Sequence, residues 1–388
     1  MKPTLAKRMS KIAPFRVMDI LAQAKSLEAA GHAVVHMEVG EPDFPAPEPV
    51  IAAAQQALGE GKTHYTPAIG IDPLREALSE YYRARFSISV DPARIVITPG
   101  ASGALQLVLG VLVDAGDAVW VQDPGYPCNR HMIEMLGGNV RTLPQMRGGV
   151  QAQEVLGAVG PEARAVMLAS PANPTGEVIR PAEMAAVYGG LEHDSQCLIV
   201  DEIYQGLEYG IEPTTALALG EPGLFVINSF SKFFGMTGFR VGWIVAPEGY
   251  VEPLERLAQN LFLAPPTLAQ HAAMAVFQPA VMEELEQRRQ VFGRRRELLF
   301  EGLQSLGFAL PDHPPQGAFY VYAGLNGLAA SGERFAAELL DQQHLAVTPG
   351  IDFGTQGTDR HVRFAYTTTA EEIEEGLRRL QTFLGAGG

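Results

Sequence analysis

The run SFSKFFGMTGFRVGW, residues 229–243, places one amine among groups that bind anions. Lys232 is flanked by two hydroxyls, Ser229 and Ser231, and followed by the guanidinium of Arg240. A lysine amine can form a Schiff base with an aldehyde, while small donors and an arginine can hold a phosphate. Pyridoxal phosphate (PLP) carries both functions on one flat ring. A surface lysine near a turn is the alternative that this run, taken alone, leaves open.

Other residues that could do chemistry follow short apolar runs, at their C-terminal ends. After RIVIT (94–98) comes PGASGAL (99–105), where Ala101, Ser102 and Gly103 enter a helix. Free N–H groups and a positive dipole end there suit a phosphate, although packing also favours such turns. After AVWVQ (118–122) comes DPGYP (123–127), whose Tyr126 can face a flat ring or pack locally. After AVMLA (165–169) comes SPANPTG (170–176), whose Asn173 is a donor to a ring oxygen or a plain turn residue. After CLIV (197–200) comes Asp201, a carboxylate that burial penalises unless a cation or strong donor lies beside it. A protonated pyridine nitrogen would serve, and so would a structural lysine or arginine. Tyr204 follows three residues later, within reach of the same ring's phenolic oxygen. Arg363, inside the apolar HVRFAY (361–366), needs an anion, either a substrate carboxylate or a structural Asp or Glu.

Something must hold these groups together. The apolar runs alternate with helical patterns through the middle of the chain, which predicts an α/β domain with a mostly parallel sheet covered on both faces. Ligands bind beyond the carboxyl ends of such strands. GWIVA (242–246) follows LFVIN (224–228) too closely for a helical crossover, so an antiparallel partner is expected. The C-terminal third differs. It has a helical pattern over about 283–306, strand candidates GAFYVYA (317–323) and HVRFAY, and a closing amphipathic helix AEEIEEGLRRLQTFL. The segment from about 10 to 31 reads as helical, with the C-terminal part as its partner. The expected division is a large domain at 47–283 and a smaller α+β domain built from 1–46 with 284–388. The arginine cluster at 294–296 reads as a solvated helix face.

Composition narrows the classes. A chain of 388 residues, 47% apolar and with 41 glycines, can build more than one domain and a large core with many turns. A net charge of −15 argues against nucleic-acid and anionic-membrane partners. Two cysteines, Cys128 and Cys197, make no disulfide framework and fit a reducing cytoplasm. The N-terminus lacks an apolar stretch of signal-peptide length, and no run reaches the roughly 18 apolar residues of a membrane span. Nine scattered histidines show no metal-ligand spacing.

In order, the motifs are VGEPDF (39–44), HYTPAIG (64–70), TPGASGAL (98–105), DPGYP, SPANPTG, DEIY (201–204), SFSKFFGMTGFRVGW, TPGIDFG (348–354) and VRFAY (362–366). With them the chain resembles the fold-type I PLP enzymes, specifically the class I/II aminotransferases of the aspartate aminotransferase superfamily. The resemblance implies an aspartate aminotransferase-like fold with a seven-stranded sheet. It implies Lys232 as the Schiff-base lysine, Asp201 as partner of the pyridine nitrogen, and Tyr204 and Asn173 as donors to the ring oxygen. Tyr126 would stack on the ring. Ala101, Ser102, Gly103, Ser229, Ser231 and Arg240 would hold the phosphate. Tyr65 would reach the phosphate of a second subunit, which makes a homodimer the expected assembly. Gly40 and Arg363 would receive the substrate α-carboxylate, supported by Asn173.

The implied reaction moves an α-amino group from an L-amino acid to a 2-oxo acid, with 2-oxoglutarate as the acceptor by family habit and ping-pong kinetics. The donor stays open. The turn 98–104 carries no cation for a distal carboxylate, which leans toward neutral or aromatic donors. Arg16 or a partner-subunit residue could supply one for an aspartate-specific enzyme. Carbon–sulfur lyases and racemases share most of these motifs. A non-catalytic PLP-binding effector domain is the alternative outside enzymology.

Overall fold

The computed structural model describes residues 4–144 and 149–386. Seven strands form its main sheet: β1 (Ile95–Thr98), β2 (Ala118–Val121), β3 (Asn139–Thr142), β4 (Ala163–Ala169), β5 (Cys197–Asp201), β6 (Leu224–Ser229) and β7 (Gly242–Val245). Their order across the sheet is β1-β7-β6-β5-β4-β2-β3. All pairs are parallel except those of β7, which lies antiparallel between β1 and β6. The expected mostly parallel, seven-stranded sheet and the antiparallel GWIVA strand are both present.

Two-residue periodicity divides the sheet's side chains between two cores. Val96, Ile199, Phe225 and Ile244 join Leu107 and Val108 of the helix Gly100–Leu112 on one face. Ile95, Ile97, Val200, Val226 and Trp243 face the other core, with Leu74 and Leu78 of the helix Asp72–Phe86. Burial on both faces explains why these strands read as continuous apolar runs. The edge strand β3, sequence NVRT, is mostly exposed and polar, and no apolar run marks it in the sequence.

Farther along, β8 (Tyr320–Gly324), β9 (Thr348–Pro349) and β10 (His361–Ala365) form an antiparallel sheet in the order β9-β10-β8. Arg363 pairs there with Thr348 on one side and Tyr322 on the other. The helix Pro279–Ser305 runs without a break across the expected boundary at 283/284.

Two expectations need correction. The N-terminal helix begins at Arg16 rather than near Ser10, after a short 3-10 turn at Lys7–Ser10. Pro14 stands between them, and a proline pushes the residue before it out of the helical region. The helix has no side-chain cap of its own. Instead the Asp352 carboxylate accepts the backbone N–H groups of Arg16 and Val17, at 3.1 and 3.3 Å. Its far end packs on the C-terminal part as expected, with Ala24 against Leu340 and Ala346.

The arginine cluster at 294–296 is not a solvated face. Arg294 is exposed, but Arg295 is 6% exposed and forms a bidentate pair with Asp43 at 2.8 Å on each arm. Arg296 lies 4.7 Å over the Tyr209 ring and donates to the Pro315 carbonyl at 3.0 Å. Paired carboxylates, carbonyls and rings make burial of these cations tolerable. Removing one partner of such a pair costs about 3–5 kcal/mol. The contact matters for the site, because Asp43 belongs to the GEPDF loop that carries Gly40.

Candidate active site

Lys232 sits in the turn that leaves β6. Its neighbours Phe230, Phe233 and Phe234 are all buried, with the Phe230 ring tilted against Trp243 at 4.8 Å and against Phe234 at 5.0 Å between centroids. These rings root the turn in the core and leave the lysine to point into a cavity of about 230 Å³. Nζ donates to the Gly40 carbonyl at 2.7 Å. Gly40 approaches so closely that a Cβ there would lie 1.7 Å from Tyr320 Oη. The GEPDF loop is tied down by Arg295 on Asp43, by Arg288 Nη1 on the Pro45 carbonyl at 2.6 Å, and by Thr237 Oγ1 donating to Glu41 at 2.6 Å. Burial lowers the Lys232 amine from 10.5 to about 8; Glu41 opposes this, and Arg363 and Arg240 add to it. Roughly a fifth of such an amine is neutral, and so nucleophilic, near physiological pH, against far less than a hundredth at its ordinary value.

One end of the cavity gathers anion-binding groups. Ala101 and Ser102 stand in the first turn of the 13-residue helix Gly100–Leu112, where N–H groups lack helical acceptors. Gly100 takes a left-handed φ of 70°, and a Cβ on it would lie 2.6 Å from Arg240 Nη2. Arg240 itself holds φ 56°, unusual outside glycine. It donates to the Thr237 carbonyl at 2.9 Å and reaches Ser231 Oγ at 3.5 Å, and it has no ion pair among the described residues. Ser229 Oγ lies 2.9 Å from Ser231 Oγ and accepts the Ser231 N–H at 3.1 Å. The guanidinium, the hydroxyls and the helix N-terminus thus converge with no protein anion among them.

Asp201 ends β5 and is 4% exposed. Oδ1 accepts the Ile203 N–H at 3.0 Å, and no ion pair among the described residues offsets its burial. Desolvation raises its carboxyl from 3.8 to about 6. The structural salt bridge left open by the sequence is therefore not found. The Tyr204 hydroxyl meets that of Tyr320 at 2.7 Å, and burial lifts its ionisation well above the usual phenol range. Asn173 Oδ1 accepts from Arg363 Nη1 at 2.9 Å, which leaves its amide nitrogen as a donor.

Arg363 is 3% exposed and lies 4.2 Å over the Tyr320 ring and 4.7 Å over Phe353. Besides Asn173 it reaches the Glu38 carbonyl and, at 3.3 Å, Thr348 Oγ1. Its Nε has no partner, and no carboxylate among the described residues pairs with it. A buried guanidinium in this state is a site for an external anion.

One cavity is lined by Gly40, Ala101, Ser102, Tyr126, Asn173, Asp201, Tyr204, Ser231, Lys232, Arg240 and Arg363. Three expected residues lie outside this lining. Gly103 packs on Pro99, where a Cβ would come within 2.8 Å of Cδ. Ser229 is fully buried and acts on the cavity through Ser231. Tyr65 is 81% exposed on the surface. Sequence reasoning missed Tyr320 and the N-terminal residues Phe15, Val17 and Met18, all of which line the cavity. Tyr320 stands inside a recognised strand run, where nothing in the pattern separates it from its apolar neighbours. Phe15 meets Tyr126 edge to face, with centroids 6.1 Å apart.

Residues 32–380 match the family model for aminotransferase class I and II. The valine–pyruvate aminotransferase of Mycobacterium tuberculosis is 38% identical over 377 residues, 96% of this chain and 97% of the relative. The (5-formylfuran-3-yl)methyl phosphate transaminase of Methanocaldococcus jannaschii is 36% identical, covering 98% and 99%. The solved aspartate aminotransferase from Thermus thermophilus with maleate superposes with a TM-score of 0.92 at 32% identity, over 97% of this chain and 99% of that one.

Proposed function

Because the chain belongs to the class I and II aminotransferases, a family of PLP-dependent transaminases, we propose that it binds PLP in this cavity and uses Lys232 to move an amino group from an L-amino acid to a 2-oxo acid. The observation that carries this reading is the convergence of Lys232, Asp201, Arg240 and Arg363 on one cavity, with Asp201, Arg240 and Arg363 lacking a counter-charge among the described residues. The donor set fits the cofactor. Arg240, Ser231, Ser229 and the N–H groups at Ala101 and Ser102 would hold the phosphate. Asp201 would pair with the ring nitrogen, while Tyr204 and the Asn173 amide would donate to the ring oxygen. Tyr126 would cover the ring face.

When bound, PLP supplies an aldehyde that takes up amino groups and a ring that draws electrons away from the substrate Cα. The protein's part is positioning and proton handling. Arg363 clamps the α-carboxylate, and Asn173 orients that guanidinium. Asp201 would stay ionised beside a protonated ring nitrogen and hold that proton in place. Lys232 would hold the aldehyde. Its Nζ would also take the Cα proton and later return one, a task suited to an amine near 8. Tyr320 holds the Tyr204 hydroxyl in place.

A homodimer and a cytoplasmic location belong to the same reading. Tyr65 is 81% exposed, which leaves its hydroxyl open to the phosphate of a second copy. Among the described residues no helix is long and apolar enough to cross a membrane. The division at 47–283, with 1–46 joined to 284–388, is retained as a proposal for the two structural units.

The test is borohydride reduction of the PLP-loaded protein, followed by peptide mass mapping. The cofactor mass is expected on the peptide bearing Lys232, and Lys232→Ala is expected to lose both the adduct and transamination. A Lys232→Ala protein that still transaminates at a normal rate would sink the assignment.

A further inference from the structure

The cavity differs from end to end in charge. Its cations are Lys232, Arg240 and Arg363, and the reading above engages all three with the aldehyde, the phosphate and the α-carboxylate. The wall formed by Phe15, Val17, Met18 and Leu105 carries no charge. Leu105 comes from the second turn of the helix Gly100–Leu112 and is 2% exposed. The other three come from the start of the N-terminal helix, which Asp352 holds by two backbone N–H groups.

Nearby cations are engaged elsewhere. Arg16, adjacent in sequence to two wall residues, does not line the cavity and pairs with Glu333 at 3.3 Å on the surface. Arg130 gives its guanidinium to the carbonyls of Phe353 and Asp352, at 2.9 and 3.1 Å. Two carboxylates also stand beside the wall and the mouth: Asp352, which accepts from the helix start, and Glu41, bonded to the cavity residue Thr237. Among the described residues, a distal carboxylate on a substrate would find no uncommitted cation in the cavity lining, and it would lie against apolar side chains.

We propose that Phe15, Val17, Met18 and Leu105 receive the substrate side chain and select uncharged, apolar ones. The inference rests on the transaminase reading and deepens it. In a ping-pong reaction the same wall meets the amino donor and the 2-oxo acid in turn. The selection therefore applies to both half-reactions, and it favours a monocarboxylic 2-oxo acid over the 2-oxoglutarate that the resemblance implies.

The experiment uses the PLP-loaded protein and measures kcat/KM for leucine, methionine and phenylalanine against aspartate and glutamate. It then compares pyruvate and 4-methyl-2-oxopentanoate with 2-oxoglutarate. Apolar substrates should lead by roughly 100-fold or more, the order of penalty for a buried charge left unpaired. Phe15→Ala should lower the leucine-to-alanine ratio of kcat/KM about tenfold, since that ratio reads lost side-chain contact. Met18→Arg, at a position 54% exposed and tolerant of a long side chain, should raise kcat/KM for glutamate. Calorimetry gives a reading independent of turnover: 4-methylpentanoate should bind the loaded protein more tightly than glutarate. A wild-type preference for dicarboxylates, as from a cation of a partner subunit, overturns the inference and leaves the transaminase reading intact. Equal losses for leucine and alanine in Phe15→Ala also overturn it. Absence of transfer from every donor overturns the transaminase reading, and this inference with it.

Discussion

Asp201→Asn should stabilise the cofactor-free protein while crippling the enzyme. The carboxyl is 4% exposed and its ionisation is raised from 3.8 to about 6, chiefly by desolvation. In the folded chain it therefore keeps its proton over a range where the unfolded chain has lost it. Stability from this group is full below about 4 and falls as pH rises to about 6, beyond which the penalty is constant. At about 1.4 kcal/mol per tenfold change in proton affinity, the penalty is roughly 3 kcal/mol near pH 8 and roughly 1 kcal/mol near pH 4.5. Asparagine keeps an oxygen to accept the Ile203 N–H and carries no charge. Lys232 is the weakest of the causes acting on Asp201, and Asp201 the weakest acting on Lys232, so the substitution reads mainly desolvation. For 388 residues the unfolding entropy is roughly 0.8 kcal/mol/K, so the melting temperature should rise by about 4 °C near pH 8 and about 1 °C near pH 4.5. Scanning calorimetry of wild-type and variant protein, both stripped of PLP, measures the two gaps. The loaded variant should lose roughly 10²–10³-fold in kcat, because the ring nitrogen loses its anionic partner. Equal melting temperatures at the higher pH, or a gap that does not change with pH, would refute the desolvation argument.

Other outcomes follow from the same geometry. The rate at which PLP attaches to the stripped protein should rise with pH, pass half its plateau near 8 and level off about one pH unit higher, as expected if the neutral Lys232 amine is the nucleophile; stopped-flow absorbance reads it. Arg363→Lys should lower kcat/KM for amino acids by roughly 100-fold, since a point charge cannot grip Asn173 and a carboxylate as the planar fork does. Tyr65→Phe should weaken PLP affinity about tenfold by loss of a hydrogen bond to a charged group, measured by equilibrium dialysis. The melting temperature of stripped Tyr65→Phe should change little, because the side chain is 81% exposed.

The sheet was legible because buried parallel strands are continuous apolar runs, and their polar ends announced the cavity. Asp201, Asn173 and Lys232 could each be placed at the end of a named strand, and they do line one cavity. Asn139–Thr142 escaped because an edge strand exposed to water carries no apolar signal. Arg295 and Arg296 misled for the converse reason: charge suggests solvent, while their partners Asp43 and Tyr209 lie 252 residues and 87 residues away in sequence. Phe15 and Val17 could be assigned to a helix, but not to a cavity whose other walls come from distant parts of the chain. Such contacts are set by tertiary packing, which local pattern does not encode.

Lys232 and its neighbours are expected to transfer an amino group rather than release it. Mixing the PLP-loaded protein with an L-amino acid, with no 2-oxo acid present, isolates the first half of that reaction. A single burst of about one 2-oxo acid per chain is expected, stopping there, with no ammonia and with the cofactor left as pyridoxamine phosphate. Continuous release of ammonia, or a burst undiminished in Lys232→Ala, would contradict it.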